Sequence, residues 1–189
     1  MTPPDVADAK LLRAAEAQGS APQLATLRFM RRHLAHWIAL GFGSGLAPRA
    51  PGTVGTLWAW AAFLILDRWL SVGQWAVVLL ASLAIGVWAC ARPARELWFS
   101  APGASVWDEV VAFWLGMWLV MPVGFIGQAV AFALFRFFDA AKPGPVRWAD
   151  RRFKYARGWG QGFGIIFDDL VAALCTLLVI ALWRFAWLG

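Results

Sequence analysis

Four apolar runs, three of them without a charge, constrain this chain more tightly than any motif in it. Seventeen residues separate Arg49 from Asp67 without a charge, 23 run from Trp69 to Ala91, and 26 run from Val110 to Phe135. The last apolar segment extends from Leu170 to about Leu188, with Arg184 placed to snorkel. A helix rises about 1.5 Å per residue, so roughly 20 apolar residues cross a hydrocarbon core about 30 Å thick. Composition agrees: 61% of residues are hydrophobic and only 15% are charged, against about 25% in an average soluble domain. The chain therefore reads as an all-α polytopic membrane protein, and 189 residues suit a single domain.

In chain order, residues 1–22 are small and polar with no apolar core of a signal peptide, and read as a flexible cytoplasmic lead. Residues 23–189 form one helical membrane domain. Gln23–Leu40 has the spacing of an amphipathic helix at the inner surface, with Arg28, Arg31 and Arg32 among its apolar positions. A Gly- and Pro-rich loop follows, and Thr53 is the expected N-cap of a helix through Leu66. The run around Met121-Pro-Val-Gly124 fits either one kinked helix or a hairpin of two short helices, about Val106–Met121 and Val123–Phe138. Charge favours the hairpin. With the N-terminus inside and Met121–Gly124 as an outer turn, 15 of the 17 Lys and Arg residues fall on the inner side. The expectation is about five transmembrane or membrane-embedded helices, with the polar motifs clustered at the cytoplasmic face. The net charge of +6 then fits anionic membrane lipids, and no nucleic-acid signature accompanies it. The 14 Trp read mainly as interface anchors and lipid-facing bulk. Cys90 and Cys175 lie in apolar runs and read as small hydrophobes, and His33 and His36 lack the further ligands of a zinc site.

This topology gathers the unusual polar residues at one depth. Asp108-Glu109 opens one helix, Asp139 follows another, and Asp168-Asp169 opens the last. Grouped carboxylates repel one another unless a cation is present, and oxygen-only ligands favour a hard ion such as Mg²⁺. Asp108 and Asp168 could each merely cap a helix N-terminus, but a cap does not call for a second acid beside it. Arg136 and Lys142 flank Asp139 and are candidates to touch a phosphate. Arg147 is a further candidate, though it and its basic neighbours read more readily as topology determinants or lipid contacts. Gly43-Ser44-Gly45 and Pro51-Gly52-Thr53 lead into a helix N-terminus, where backbone N–H groups can bind an anion, so Ser44 and Thr53 join the candidates.

These residues carry a resemblance. The stretches Gly41–Leu57, Val106–Val111, Phe135–Arg151 and Gly164–Ala172 resemble, in order, the motifs of the phosphatidylglycerophosphatase A family over roughly residues 34–188. The resemblance implies a bacterial inner-membrane, Mg²⁺-dependent phosphatase that converts phosphatidylglycerol phosphate to phosphatidylglycerol and inorganic phosphate. It carries over Asp108, Glu109, Asp139, Asp168 and Asp169 as acidic site residues, and Arg49, Arg136 and Lys142 as phosphate contacts. Two departures stand out. Family members often have an acid or His shortly before the position of Trp107, where this chain has Ser100–Ser105. They often have His-Gly-Gly before the final acidic pair, where this chain has Trp159–Phe163. Either a water or the Asp139 carboxylate can serve as nucleophile. Two rival classes fit less well: a transporter would carry repeats that are not evident, and a phosphatidyl transferase would need a DG…AR motif that is absent.

Overall fold

The computed structural model describes residues 27–31, 33–91, 105–153 and 159–188, and among these every regular element is helical. The proposed lead, most of the loop after residue 91, and Lys154 and Arg157 lie outside the described residues. The elements are α1 (Leu27–Met30), α2 (Leu34–Ala39), a 3₁₀ turn (Gly41–Leu46), α3 (Pro51–Leu66), α4 (Val72–Ala91), α5 (Trp107–Val120), α6 (Phe125–Ala141), α7 (Gly144–Arg152) and α8 (Trp159–Leu188).

The helices run up and down beside one another. Trp75 at the start of α4 stacks on Phe63 near the end of α3, with centroids 4.6 Å apart. Eleven residues on, α4 meets the start of α5, where Gly86 lies under the Trp107 ring. The hairpin reading of Met121–Gly124 holds. Phe113 of α5 touches both Phe132 and Phe135 of α6, and Glu109 pairs with Arg136, 27 positions further along the chain. On one straight helix that separation would be about 40 Å. The last helix, α8, packs on α4, α5, α6 and α7 and so forms the spine of the bundle.

Close approach depends on small residues. A Cβ on Gly55 would stand 2.7 Å from the Val106 side chain, and one on Gly86 would stand 2.8 Å from Trp107. Ala59, Ala112, Ala172 and Ala173 are buried at other crossings. Such contacts bring backbones together where lipid offers no hydrophobic driving force between helices. Outward, the bundle presents Leu80, Ile126, Leu178 and Phe185, each at least 60% exposed. Apolar surface on this scale marks contact with a membrane or partner.

Among the described residues, two helices are long and apolar enough to cross a membrane, over Val72–Ala89 and Gly162–Ala186. The helices α3, α5 and α6 have 16, 14 and 17 residues, short of the roughly 20 of a full crossing.

Four expectations are corrected. The segment Gln23–Leu40 is not one helix where it is described: His33 is extended, which separates α1 from α2 and lets both Met30 and Ala39 turn inward. Thr53 does not cap α3. The helix begins at Pro51, whose missing N–H and fixed φ suit a first position, and Ala50 ahead of it is left-handed at φ +48°. Asp168 and Asp169 do not open the last helix. It starts at Trp159, because packing on four neighbours carries it through Gly160, Gly162 and Gly164 despite their weak helix propensity. Finally, not every indole is an outward-facing anchor, although Trp37, Trp69, Trp148 and Trp183 are exposed. Trp75, Trp107 and Trp114 are buried, and the Trp107 and Trp114 N–H groups donate to backbone carbonyls of Ser82 and Ala59. In a dry interior a ring with one donor joins two helices once that donor is matched.

Candidate functional site

Three helix segments bring their polar residues to one end of the bundle. The first turn of α5 supplies Asp108 and Glu109. The last two turns of α6 supply Arg136 and Asp139, three apart and therefore on one face, with Lys142 as the residue that ends the helix. The third turn of α8 supplies Asp168 and Asp169, only 6% and 3% exposed.

Arg136 is the hub on one side. Its Nη1 donates to Glu109 Oε1 at 3.3 Å, to Asp139 Oδ2 at 2.5 Å and to Thr56 Oγ1 at 3.5 Å. Thr56, fully buried, in turn donates to the Gly52 carbonyl at 2.8 Å. Gly52 is required here. A Cβ at that position would collide with Glu109 Oε1 and come within 3.1 Å of Arg136. Lys142 is the hub on the other side. Its ammonium donates to Asp150 Oδ1 at 2.8 Å and to Asp168 Oδ2. Burial works against the charge on Lys142, but the hydrogen bonds it donates to Asp150 and Asp168 outweigh it and hold its pKa above the ordinary lysine value.

Asp169 lies within the electrostatic reach of Asp108, Asp139, Glu109 and Asp168. The cluster thus sets Asp108, Glu109, Asp139, Asp150, Asp168 and Asp169 against two cations, Arg136 and Lys142. Two carboxylate oxygens, Asp108 Oδ1 and Glu109 Oε2, are buried without a hydrogen-bond partner. Excess negative charge, oxygen-only donors and orphaned carboxylate oxygens fit a hard divalent cation. Among the described residues no three of these acids stand at the spacing of a metal shell, so the fit is one of charge and donor type.

The five acids named from sequence are therefore neighbours, with Arg136 and Lys142 among them. Ser44 is half-buried and donates to the Gly41 carbonyl at 2.9 Å, closing its own loop. Thr53 is half-buried in the first turn of α3, and Arg49 and Arg147 are exposed. Sequence reasoning left three residues without the roles they have here. Gly52 and Thr56 stand four apart, one helical turn, which was the available signal for a shared face. Asp150 stood among the basic residues between the two acidic motifs and drew no separate notice.

Fold and site together define an all-helical protein with membrane-length helices and a buried acid–base cluster at one end. The family model described as "PgpA: Phosphatidylglycerophosphatase A" matches residues 37–184. The chain belongs to the phosphatidylglycerophosphatase A family. It is 35% identical over 141 residues to phosphatidylglycerophosphatase A of Escherichia coli, covering 75% of this chain and 78% of that protein. It is 34% identical to the protein of that name from Haemophilus influenzae, covering 77% of this chain and 85% of the relative. It is also 36% identical to a Bacteroides thetaiotaomicron protein provisionally named a phosphatidylinositol-3-phosphatase, covering 78% of this chain and 91% of the relative. No solved structure matches the chain.

Proposed function

We propose that this enzyme removes the terminal phosphate of phosphatidylglycerol phosphate, giving phosphatidylglycerol and inorganic phosphate. It is a phosphoric monoester hydrolase by family, and two of its relatives carry the corresponding name. The observation that carries the reading is the buried cluster, in which Arg136 and Lys142 are each held between carboxylates. A phosphate monoester needs cations aimed at its oxygens and a carboxylate beside them to move a proton.

In this reading Asp108, Glu109, Asp139, Asp168 and Asp169 hold Mg²⁺, and the orphaned oxygens of Asp108 and Glu109 support the assignment. When bound, the ion supplies charge neutralisation at the phosphate and lowers the pKa of a coordinated water. Arg136 and Lys142 bind and orient the equatorial phosphate oxygens. A carboxylate of the cluster accepts the proton of the attacking water. The P–O ester bond breaks as the water oxygen bonds to phosphorus, and the glycerol oxygen leaves and is protonated. In this reading Ser44, Arg49, Thr53 and Arg147 guide the anionic head group toward the cluster.

The finer topology is part of the proposal. Five helices, α3 to α6 and α8, sit in the bacterial inner membrane with the cluster on the cytoplasmic side. The 15 inward Lys and Arg residues support that side, as do the basic, exposed Arg147, Arg151 and Arg152 of α7 against anionic lipids. Three short helices fit if the bilayer thins around them. The acyl chains stay in the bilayer while the head group reaches the rim.

The test is phosphate release from phosphatidylglycerol phosphate by the detergent-purified protein, with Mg²⁺ and with EDTA. Release with Mg²⁺ that stops with EDTA supports the whole reading. No release with Mg²⁺ rejects the activity, and EDTA-insensitive release rejects the metal.

A further inference from the structure

Lys142 leaves the end of α6 in a left-handed conformation, φ +43°, with its N–H bonded to the Phe138 carbonyl at 2.9 Å. The chain then turns through Pro143 into α7. That short helix is anchored by Val146 and Ala149, both fully buried, and packs on α8. Its Asp150 is thereby returned to the Lys142 ammonium eight residues after it. The two acids that share this ammonium differ in depth: the Asp168 side chain is 9% exposed and the Asp150 side chain is 43% exposed. Lys142 stands between them, 34% exposed, at the boundary of cluster and solvent.

An ammonium has three N–H donors. Asp150 and Asp168 take two, and among the described residues no other ion-pair partner is present. With two donors fixed, tetrahedral geometry fixes the direction of the third. Without Asp150, the attraction of the deeper Asp168 is unopposed and draws the ammonium inward. A pair as exposed as Lys142–Asp150 contributes little to stability. Its consequence is where the charge stands.

We propose that Asp150 is a positioning residue that holds the Lys142 ammonium at the mouth of the carboxylate cluster, with its third donor free for the substrate's phosphate. This rests on the reading above that Lys142 meets the phosphate. Asp150 itself touches no reacting atom. Its negative charge is an unexpected neighbour for an anion site, and its use is to orient the cation that the anion meets.

The experiment compares Asp150→Ala, Asp150→Glu and Lys142→Ala with the parent enzyme, measuring KM and kcat for phosphatidylglycerol phosphate, inhibition by inorganic phosphate, and Tm. Asp150→Ala is expected to raise both KM and the phosphate inhibition constant about tenfold, the scale of one charge-assisted hydrogen bond. Its kcat should stay within about threefold and its Tm should barely move, as interactions lost equally from bound substrate and transition state show in KM alone. Asp150→Glu should restore most of the affinity. Unchanged KM and phosphate inhibition in Asp150→Ala overturn the proposal. So does a lowered Tm with lowered kcat at constant KM, which would make the pair a fastener of α7. Should Asp150→Ala fail to fold, Asp150→Asn keeps the shape and is read the same way. If Lys142→Ala leaves both constants unchanged, the phosphate-contact reading of Lys142 fails and takes this one with it. If Lys142→Ala raises them and Asp150→Ala does not, only the role of Asp150 is lost.

Discussion

Asp169 is 3% exposed in the third turn of α8 and faces the charges of four other acids. A carboxylate kept there against such repulsion is costly unless a cation shares the site. Asp169→Asn removes the charge and keeps the shape. Phosphate release should fall on the order of 10²–10³-fold, the scale seen when one preorganised electrostatic group is lost. Thermal unfolding should show the fold intact or slightly stabilised; full activity in this variant would remove Asp169 from the site. Gly52 makes a different case, because it acts through what it lacks. Gly52→Ala places a methyl against Glu109 Oε1. Glu109 is the end of a flexible side chain, so the fold should survive while activity drops at least about tenfold as the Glu109–Arg136 pair is displaced. A kinetic comparison with Gly43→Ala would be uninformative about space, since Gly43 has an open surround but a positive φ of +108°. The acids were legible as residues because paired acids beside apolar runs have few other uses. Gly52 and Thr56 were not, because neither type signals chemistry until a neighbour from another helix arrives.

Among the elements, the α5–α6 hairpin is held at its turn end by Gln128. Its carbonyl accepts the Trp60 indole N–H at 2.8 Å, and its amide donates to the Val123 carbonyl at 3.3 Å. Gln128 is 7% exposed and eight residues from Arg136, roughly 12 Å along the helix. Gln128→Leu should therefore cost about 1–3 kcal/mol of stability through the indole left without a partner, with kcat unchanged. A large fall in kcat without a fall in Tm would contradict this separation of ends. The hairpin was legible in sequence because a single helix would have put the basic stretch on the wrong side. The start of α8 was not legible: Gly160, Gly162 and Gly164 look like a loop, and only contact with α5, α4, α6 and α7 makes a helix through them the cheaper state. That difference moved Asp168 and Asp169 from a helix end to its interior, which removes a capping role for them.

For the whole molecule, the two membrane-length helices and the apolar outer surface set where it works, and the polar end sets where it reacts. The proposed side of that end is testable by labelling. In a cysteine-free background, a cysteine at position 147 should react with an impermeant maleimide only from the cytoplasmic side, and one at position 124 only from the outer side. The reverse pattern would invert the proposed topology while leaving the cluster intact. Chelation is the second whole-molecule test. EDTA should abolish turnover and added Mg²⁺ restore it, and Tm should rise with Mg²⁺ if the ion binds the folded state. By itself the sequence determined the helical membrane character, the hairpin and the gathering of acids at one end, because charge cannot be left in hydrocarbon and so sorts itself along the chain. Only the tertiary structure decided which cation serves which acid, that Gly52 makes room for Glu109, and that Asp150 shares Lys142 with Asp168. Those are contacts between segments 8 to 80 residues apart, set by helix crossing and depth, quantities that no local pattern encodes.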